Sequence, residues 1–292
     1  VSDLVIANPP SLLERSDLVR RLASAKIRRL AAAALVTAQS RAGRLLVPVA
    51  TLALLVAAQE AATRHDLIDG DRFPLPSAVL ATLSSLIADR SIWVPLASTL
   101  SSWSIAVLIA FAGALVLGTL IGLNRYLLAL TAPVIEFLRP VPATALIPLA
   151  ILTLGANATG AIALTVFGAI WQILPLVVRG VRTVDPVSRD TARVFGLSPW
   201  QQTKWLVVPA MEPYLLTGLR IGATTALLLL ISVELLAGVV GVGREIAIAY
   251  AGANLPLMYA YILVAGTLGC VLNLLTSRLI DLRAAALRGG RR

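Results

Sequence analysis

The sequence predicts an all-helical integral membrane protein with six transmembrane helices and both termini in the cytoplasm. Composition, apolar run length and the placement of positive charge carry that reading. Of 292 residues, 58% are hydrophobic and 14% charged, with a mean hydropathy of +0.86, whereas a soluble domain carries about 25% charged residues. Six runs are long enough to cross a bilayer, which takes about 20 apolar residues each: 44–63, 102–123, 132–154, 159–178, 214–239 and 257–277. With the N-terminus inside, the inner segments hold eight Lys or Arg in residues 1–44, Arg125, five from Arg179 to Lys204 and five from Arg278 onward. The outer segments hold Arg64, Arg72, Arg90 and Arg244. Positive charge stays on the cytoplasmic side, so this excess orients the chain.

The elements follow in order. Residues 1–43 form a cytoplasmic basic segment, too long and polar for the charged start of a cleaved signal peptide, so the first span is expected to be retained. In it, Leu18, Leu22, Ile27, Leu30 and Ala34 interleave with Arg20, Arg21, Lys26, Arg28 and Arg29. A surface-lying amphipathic helix and a tail with anchoring charges both fit. A transmembrane domain then occupies 44–280. After its first span, Phe73-Pro74-Leu75-Pro76-Ser77 leads into a short helix on the outer surface, with Ser77 as its expected cap. Trp93 and Trp103 are expected at the outer interface. Gly113, Gly118 and Gly122 in the second span, and Pro142 and Pro148 in the third, are tolerated where neighbouring helices pack closely or re-satisfy the backbone. Residues 281–292 form a basic cytoplasmic tail.

Composition also excludes. The net charge of +10 is broken up by spans, so it reads as orientation rather than nucleic-acid binding. One cysteine, Cys270, and one histidine, His65, leave no cysteine cluster, no two-His zinc site and no Cys-His pair within one chain. No G-x4-G-K-[ST] phosphate loop is present, so any energy from ATP has to enter from another subunit. No metal or cofactor is expected on this chain, and no enzymatic activity.

The loop of about 184–209, between the fourth and fifth spans, is the informative one. Asp185-Pro186 starts a helix, with Asp as N-cap and Pro at the first position. Gly196 stops it in the left-handed conformation, and Ser198-Pro199 caps a second short helix that ends near Pro209. Phe195, Leu197 and Trp200 beside Gln201, Gln202 and Lys204 offer aromatic anchors with a polar rim, suited to a partner's groove. An interfacial helix with Trp200 and Trp205 at headgroup depth fits equally.

This loop resembles the EAA motif of binding-protein-dependent ABC permeases, E-A-A-x3-G-x9-I-x-L-P. Asp190, Thr191 and Ala192 stand at the first three places, Gly196 at the glycine, and Leu206, Val208 and Pro209 at the last three. Thr191 is the departure. Leu138-Arg139-Pro140-Val141-Pro142, Ile147-Pro148, Gly218-Leu219-Arg220 and Glu234-Leu235-Leu236-Ala237-Gly238 resemble the nitrate, sulfonate and taurine branch, over about Leu75 to Ile280. The resemblance implies the type I importer permease architecture in the bacterial cytoplasmic membrane, with a second permease copy that makes a homodimer, and an extracytoplasmic substrate-binding protein. It also implies two cytoplasmic ATPase subunits, which carry the ATP and Mg. The coupling residues would be Asp190, Thr191, Ala192, Gly196, Leu197, Ser198, Trp200, Leu206 and Pro209, and the cargo a small anion or small organic nutrient.

Charge within a span is costly and functional by default. Glu234, deep in the fifth span, is a candidate either to gate or to pair across a dimer, with Arg220 and Arg139 as candidate partners; a structural ion pair or a protonated carboxyl in a helix contact is the plainer reading. Glu136 and Arg139 suit an i,i+3 pair or the translocation path. Trp171 and Gln172 either line a cavity or hydrogen-bond between helices. An ion-coupled secondary transporter is the alternative, expected to show paired broken helices in two related halves.

Overall fold

The structure is a computed structural model, and it describes residues 43–70 and 72–289. The basic amphipathic stretch around residues 18–34 lies outside the described residues. The chain divides into two compact units, Val1–Gly70 and Asp71–Arg292. In the first, α1 (Gly43–Arg64) is apolar, and Arg64 pairs with Glu60 at 2.7 Å to close its last turn.

The second unit begins with α2 (Pro76–Ala88). Leu75, not Ser77, holds the N-cap position, because Pro76 already occupies the first helical place and makes a side-chain cap one residue later redundant. The order continues with α3 (Trp93–Leu123), α4 (Arg125–Leu138), a 3₁₀ turn (Ala143–Leu146), α5 (Ile147–Leu154), α6 (Ala158–Arg182) and α7 (Pro186–Val194). A first turn, α8 (Pro199–Gln202), runs through a π turn (Thr203–Val207) into α9 (Val208–Ala237); α10 (Val242–Ala251) and α11 (Leu255–Gly289) complete the unit. All regular structure among the described residues is helical. Five helical segments are long and apolar enough to cross a membrane, and α4 with α5 adds a sixth span if counted together.

The third expected span is not one helix. Its halves bend by 80° at the break between Leu138 and Ala143. Pro140 and Pro142 each lack the N–H that a continuing helix needs, and their rings crowd the preceding turn. Asn157 joins α5 to α6: its amide donates to the Leu154 carbonyl at 2.9 Å, and its side-chain oxygen accepts from Gly160 N–H at 2.9 Å.

Packing centres on α6, held between α3 and α9. On α3, Ala106, Ala110, Ala114, Gly118 and Gly122 recur every fourth residue and form a smooth stripe against Leu174, Val177 and Val181. A Cβ at Gly118 would stand 2.7 Å from Val177 Cβ, and one at Gly122 2.8 Å from Val181 Cβ. Small residues let helix backbones approach closely, the main source of attraction where lipid is as apolar as the interface. From the other side, Gly218 and Gly222 of α9 accept Ile173, and Gly180 accepts Met211. Trp103 serves this core rather than an interface, since its indole N–H donates to the Ala223 carbonyl of α9 at 2.9 Å. A second cluster joins α2, α10 and α11 through Val79, Leu86, Val242, Ile246 and Tyr261.

Candidate functional site

The loop between α6 and α9 is built almost wholly from its own hydrogen bonds. Pro186 opens α7 with Asp185 at the N-cap, but the Asp185 side chain caps no backbone N–H and accepts from Ser188 Oγ at 3.5 Å instead. At the other end, Gly196 adopts φ +73°. Its N–H donates to the Arg193 carbonyl at 2.9 Å, and Leu197 N–H donates to Ala192 at 3.0 Å, the paired closure of a Schellman motif. A Cβ on Gly196 would meet nothing within 4 Å, so glycine is required there by backbone conformation alone. Ser198 then forms a complete capping box: its N–H donates to Gln201 Oε1 at 2.8 Å, and Gln201 N–H donates to Ser198 Oγ at 3.4 Å.

The second short helix does not end near Pro209. It continues as α8, the π turn and α9, a single run from Pro199 to Ala237. Pro209 cannot donate to the carbonyl four residues back, and its ring would press on that carbonyl in a regular helix. The preceding π turn, with Val208 N–H on the Thr203 carbonyl, widens the ladder there. Pro209 thus sits in the first turn of α9 rather than at a corner between two helices.

The loop's surface divides by face. Val187, Thr191 and Val194 lie one turn apart on α7, and all three are exposed. Val194 is 87% exposed, Phe195 78% and Trp200 73%. Isolated exposed apolar residues are ordinary, but a contiguous set on a short capped hairpin marks a contact surface. Asp190 pairs with Arg193 at 3.1 Å in the open. Leu197 is half-buried, and Leu206 packs against the central core.

The broken span makes the second feature. A cavity of about 320 Å³ is lined by Arg139, Thr144, Trp171, Gln172, Thr225 and Ser232, among others. Trp171 and Gln172 fall midway along α6, and irregular backbone at such depth is tolerated where it lines a cavity. The Trp171 indole nitrogen is buried without a hydrogen-bond partner. Arg139 and Gln172, expected on the path, therefore do meet. Glu136 does not join them; it and Arg139 border a separate cavity of about 180 Å³ near Arg179. No ion pair links Glu136 and Arg139 among the described residues.

Glu234 and Arg220 lie elsewhere. Arg220 donates to Asn273 Oδ1 on α11 at 3.0 Å. Glu234 is 1% exposed and reaches no arginine. Thr99 Oγ1 donates to its carboxylate at 2.9 and 3.0 Å, and Gly243 N–H donates at 3.0 Å. Thr99 Oγ1 in turn accepts from Val242 N–H at 2.9 Å. Val242 and Gly243 are the first two residues of α10, so Glu234 and Thr99 together cap that helix and bind α9, α3 and α10 into one knot. Within the chain, Glu234 makes no ion pair with Arg220 or Arg139.

The sequence reading missed Thr99, Val242 and Gly243, which stand out in no local pattern, and Val187 and Val194. The latter were legible from helical spacing with Thr191.

Comparisons with known proteins bear on both features. The model of the family described as "Binding-protein-dependent transport system inner membrane component" matches residues 114–289, which include the loop and the cavity. The chain is 33% identical over 157 residues to the bicarbonate transport system permease protein CmpB of Synechococcus elongatus, covering 53% of this chain and 56% of that one. The alignment therefore spans a little over half of that relative. It is 28% identical over 214 residues to the nitrate import permease protein NrtB of Synechocystis, covering 70% and 78%. With the taurine transport system permease protein TauC of Escherichia coli it shares 29% over 200 residues, covering 67% and 73%. Among solved structures, an inward-facing MetNI methionine ABC transporter matches with a TM-score of 0.54 at 19% identity, covering 63% of this chain and 92% of that one. An amino acid ABC transporter solved with histidines gives 0.55 at 18%, covering 68% and 95%. These two likenesses concern the fold alone.

Proposed function

The chain belongs to the binding-protein-dependent transport system inner membrane components, in the branch of nitrate, bicarbonate and taurine permeases, and from that premise we propose that it forms the translocation path of an ATP-driven importer. The path carries a small anion or small organic nutrient. ATP hydrolysis takes place in two separate cytoplasmic subunits, which hold ATP and Mg and dock on residues Asp190 to Pro209. A second copy of this chain completes the path, and an extracytoplasmic binding protein delivers the cargo. The assembly lies in a bacterial inner membrane with both termini of this chain cytoplasmic.

The observation that carries this reading is the self-closed hairpin of α7 and α8, whose exposed apolar face has no partner among the described residues. A groove on an ATPase covers that face. Because α8 continues into α9 without a break, force on the hairpin passes directly to a helix that lines the central cavity through Thr225 and Ser232. Around that cavity, Arg139 and Gln172 carry donors suited to an anion, and no carboxylate lines it. This suits an anionic cargo.

Co-purification tests the docking. The ATPase encoded beside this gene is expressed with wild-type chain and with Val194→Asp. Retention by the wild type and loss from the variant is expected; equal retention by both contradicts docking through this face. The single bent span also fits an ion-coupled secondary transporter, and uptake that proceeds without the ATPase would favour that reading.

A further inference from the structure

The hairpin has a second face, turned away from its exposed apolar one. While Val187, Thr191 and Val194 point outward, Arg189, Asp190 and Arg193 border a cavity of about 370 Å³ behind α7. Its remaining wall includes Gly122 in the last turn of α3, Arg125 at the start of α4 and Arg182 at the end of α6. Four arginines thus line one space with one acidic residue, Asp190, whose carboxylate is engaged with Arg193 at 3.1 Å.

The other three arginines have no ion pair among the described residues. Arg125 donates to the Tyr126 hydroxyl at 2.9 Å and lies 4.8 Å from the centre of that ring, contacts that place its charge without neutralising it. Arg189 Nη2 donates to the Val181 carbonyl at 2.8 Å, which fixes the guanidinium. Its Nε is buried with no acceptor. A charged donor left unmet in a buried position is costly, and an anion beside Arg189 would offset part of its desolvation. Planar, forked donors around a net positive space match the oxygens of a phosphate group.

Depth selects the source of that phosphate. α3 has 31 residues and α6 has 25, so they extend about 46 Å and about 37 Å at 1.5 Å per residue, beyond the roughly 30 Å hydrocarbon layer. Gly122 and Arg182, in their last turns, accordingly stand at the level of lipid headgroups. Basic pockets between spans at that level take anionic headgroups. A protein partner meets the opposite, apolar face of α7. We propose that this cavity binds the phosphate of an anionic phospholipid, which seats a lipid behind the coupling helix.

Native mass spectrometry of the full chain in detergent tests this, with dioleoylphosphatidylglycerol and dioleoylphosphatidylcholine titrated separately. Phosphatidylglycerol is expected to be retained preferentially. Arg182→Gln and Arg189→Gln should each weaken its retention about fivefold, while Arg182→Lys, which keeps the charge, holds it close to wild type. Arg244→Gln, in α10 and outside the cavity, should change nothing. Equal retention of the two lipids, or glutamine variants that bind as the wild type does, would overturn the proposal. So would displacement of phosphatidylglycerol by inorganic phosphate at equal concentration, which would make free phosphate the ligand. If the glutamine variants leave lipid retention intact and weaken ATPase binding instead, the cavity belongs to the protein interface and the lipid assignment fails.

Discussion

The α7–α8 hairpin and the Glu234 knot both sit at ends of α9, and both close helix termini with hydrogen bonds, yet they do so by opposite means. At the inner end expected for α9, every closing bond spans a few residues: Gly196 to Arg193, Leu197 to Ala192, Ser198 with Gln201. At the other end, Glu234 meets Thr99, 135 positions away, and Gly243, nine positions away. The hairpin can hold its shape while its apolar face stays free for a partner. The knot is buried, and its bonds exist only when three helices have already assembled. One region closes on itself and leaves a face open, and the other ties three helices of the bundle together.

Two measurements on each variant, thermal stability and ATPase binding, sharpen that contrast. Glu234→Leu should have the largest effect: it leaves Gly243 N–H and the Thr99 hydroxyl without their acceptor, at about 2–5 kcal/mol in total. Its melting temperature should fall steeply, and Glu234→Gln, which keeps one oxygen in place, should recover part of the loss. A Glu234→Leu protein as stable as wild type would show that the carboxylate does not anchor α10. Next comes Gly243→Ala. Its Cβ would run into the Ile231 carbonyl and approach Glu234 Cβ to 2.8 Å, an overpacking cost of about 1–3 kcal/mol; unchanged stability would mean that the α9–α10 contact is looser than described.

Variants of the hairpin should behave in the reverse way. Gly196→Val forces a β-branched residue into the left-handed region, at about 1–2 kcal/mol, with no steric clash to spread the damage. Transport should be lost while the bundle melts within a few degrees of wild type. Gly196→Asn, which tolerates that conformation, should restore it, and failure of the rescue would argue that something other than φ requires glycine. Smallest is Ser198→Ala, about 1 kcal/mol from a lost cap, visible as a modest weakening of ATPase binding and as no shift in bundle stability.

The same contrast explains what could be read in the sequence. The hairpin's stop at Gly196 and its Ser198 cap were legible because their partners lie within six residues. Positions of the apolar helices were legible from run length. The fate of the third span was not, although Pro140 and Pro142 were in plain view: prolines in spans are tolerated or not according to the neighbours, and the neighbours here leave a cavity. Nor was the continuity of α8 with α9, since a π turn before Pro209 has no local signature. Glu234 was singled out by its cost, but its partners were not, because Thr99 is unremarkable until α3 is laid against α9. Arg220 was singled out as well, but its hydrogen bond to Asn273, 53 positions away, has no local signature.

ATP-dependent uptake in proteoliposomes that contain this chain, its ATPase and its binding protein tests the central claim most directly, with wild type, Gly196→Asp and Gly196→Asn compared at equal insertion. Docking through the hairpin predicts that Gly196→Asp abolishes uptake and uncouples ATP hydrolysis from cargo, whereas Gly196→Asn transports. Normal ATP-driven uptake by Gly196→Asp would contradict it.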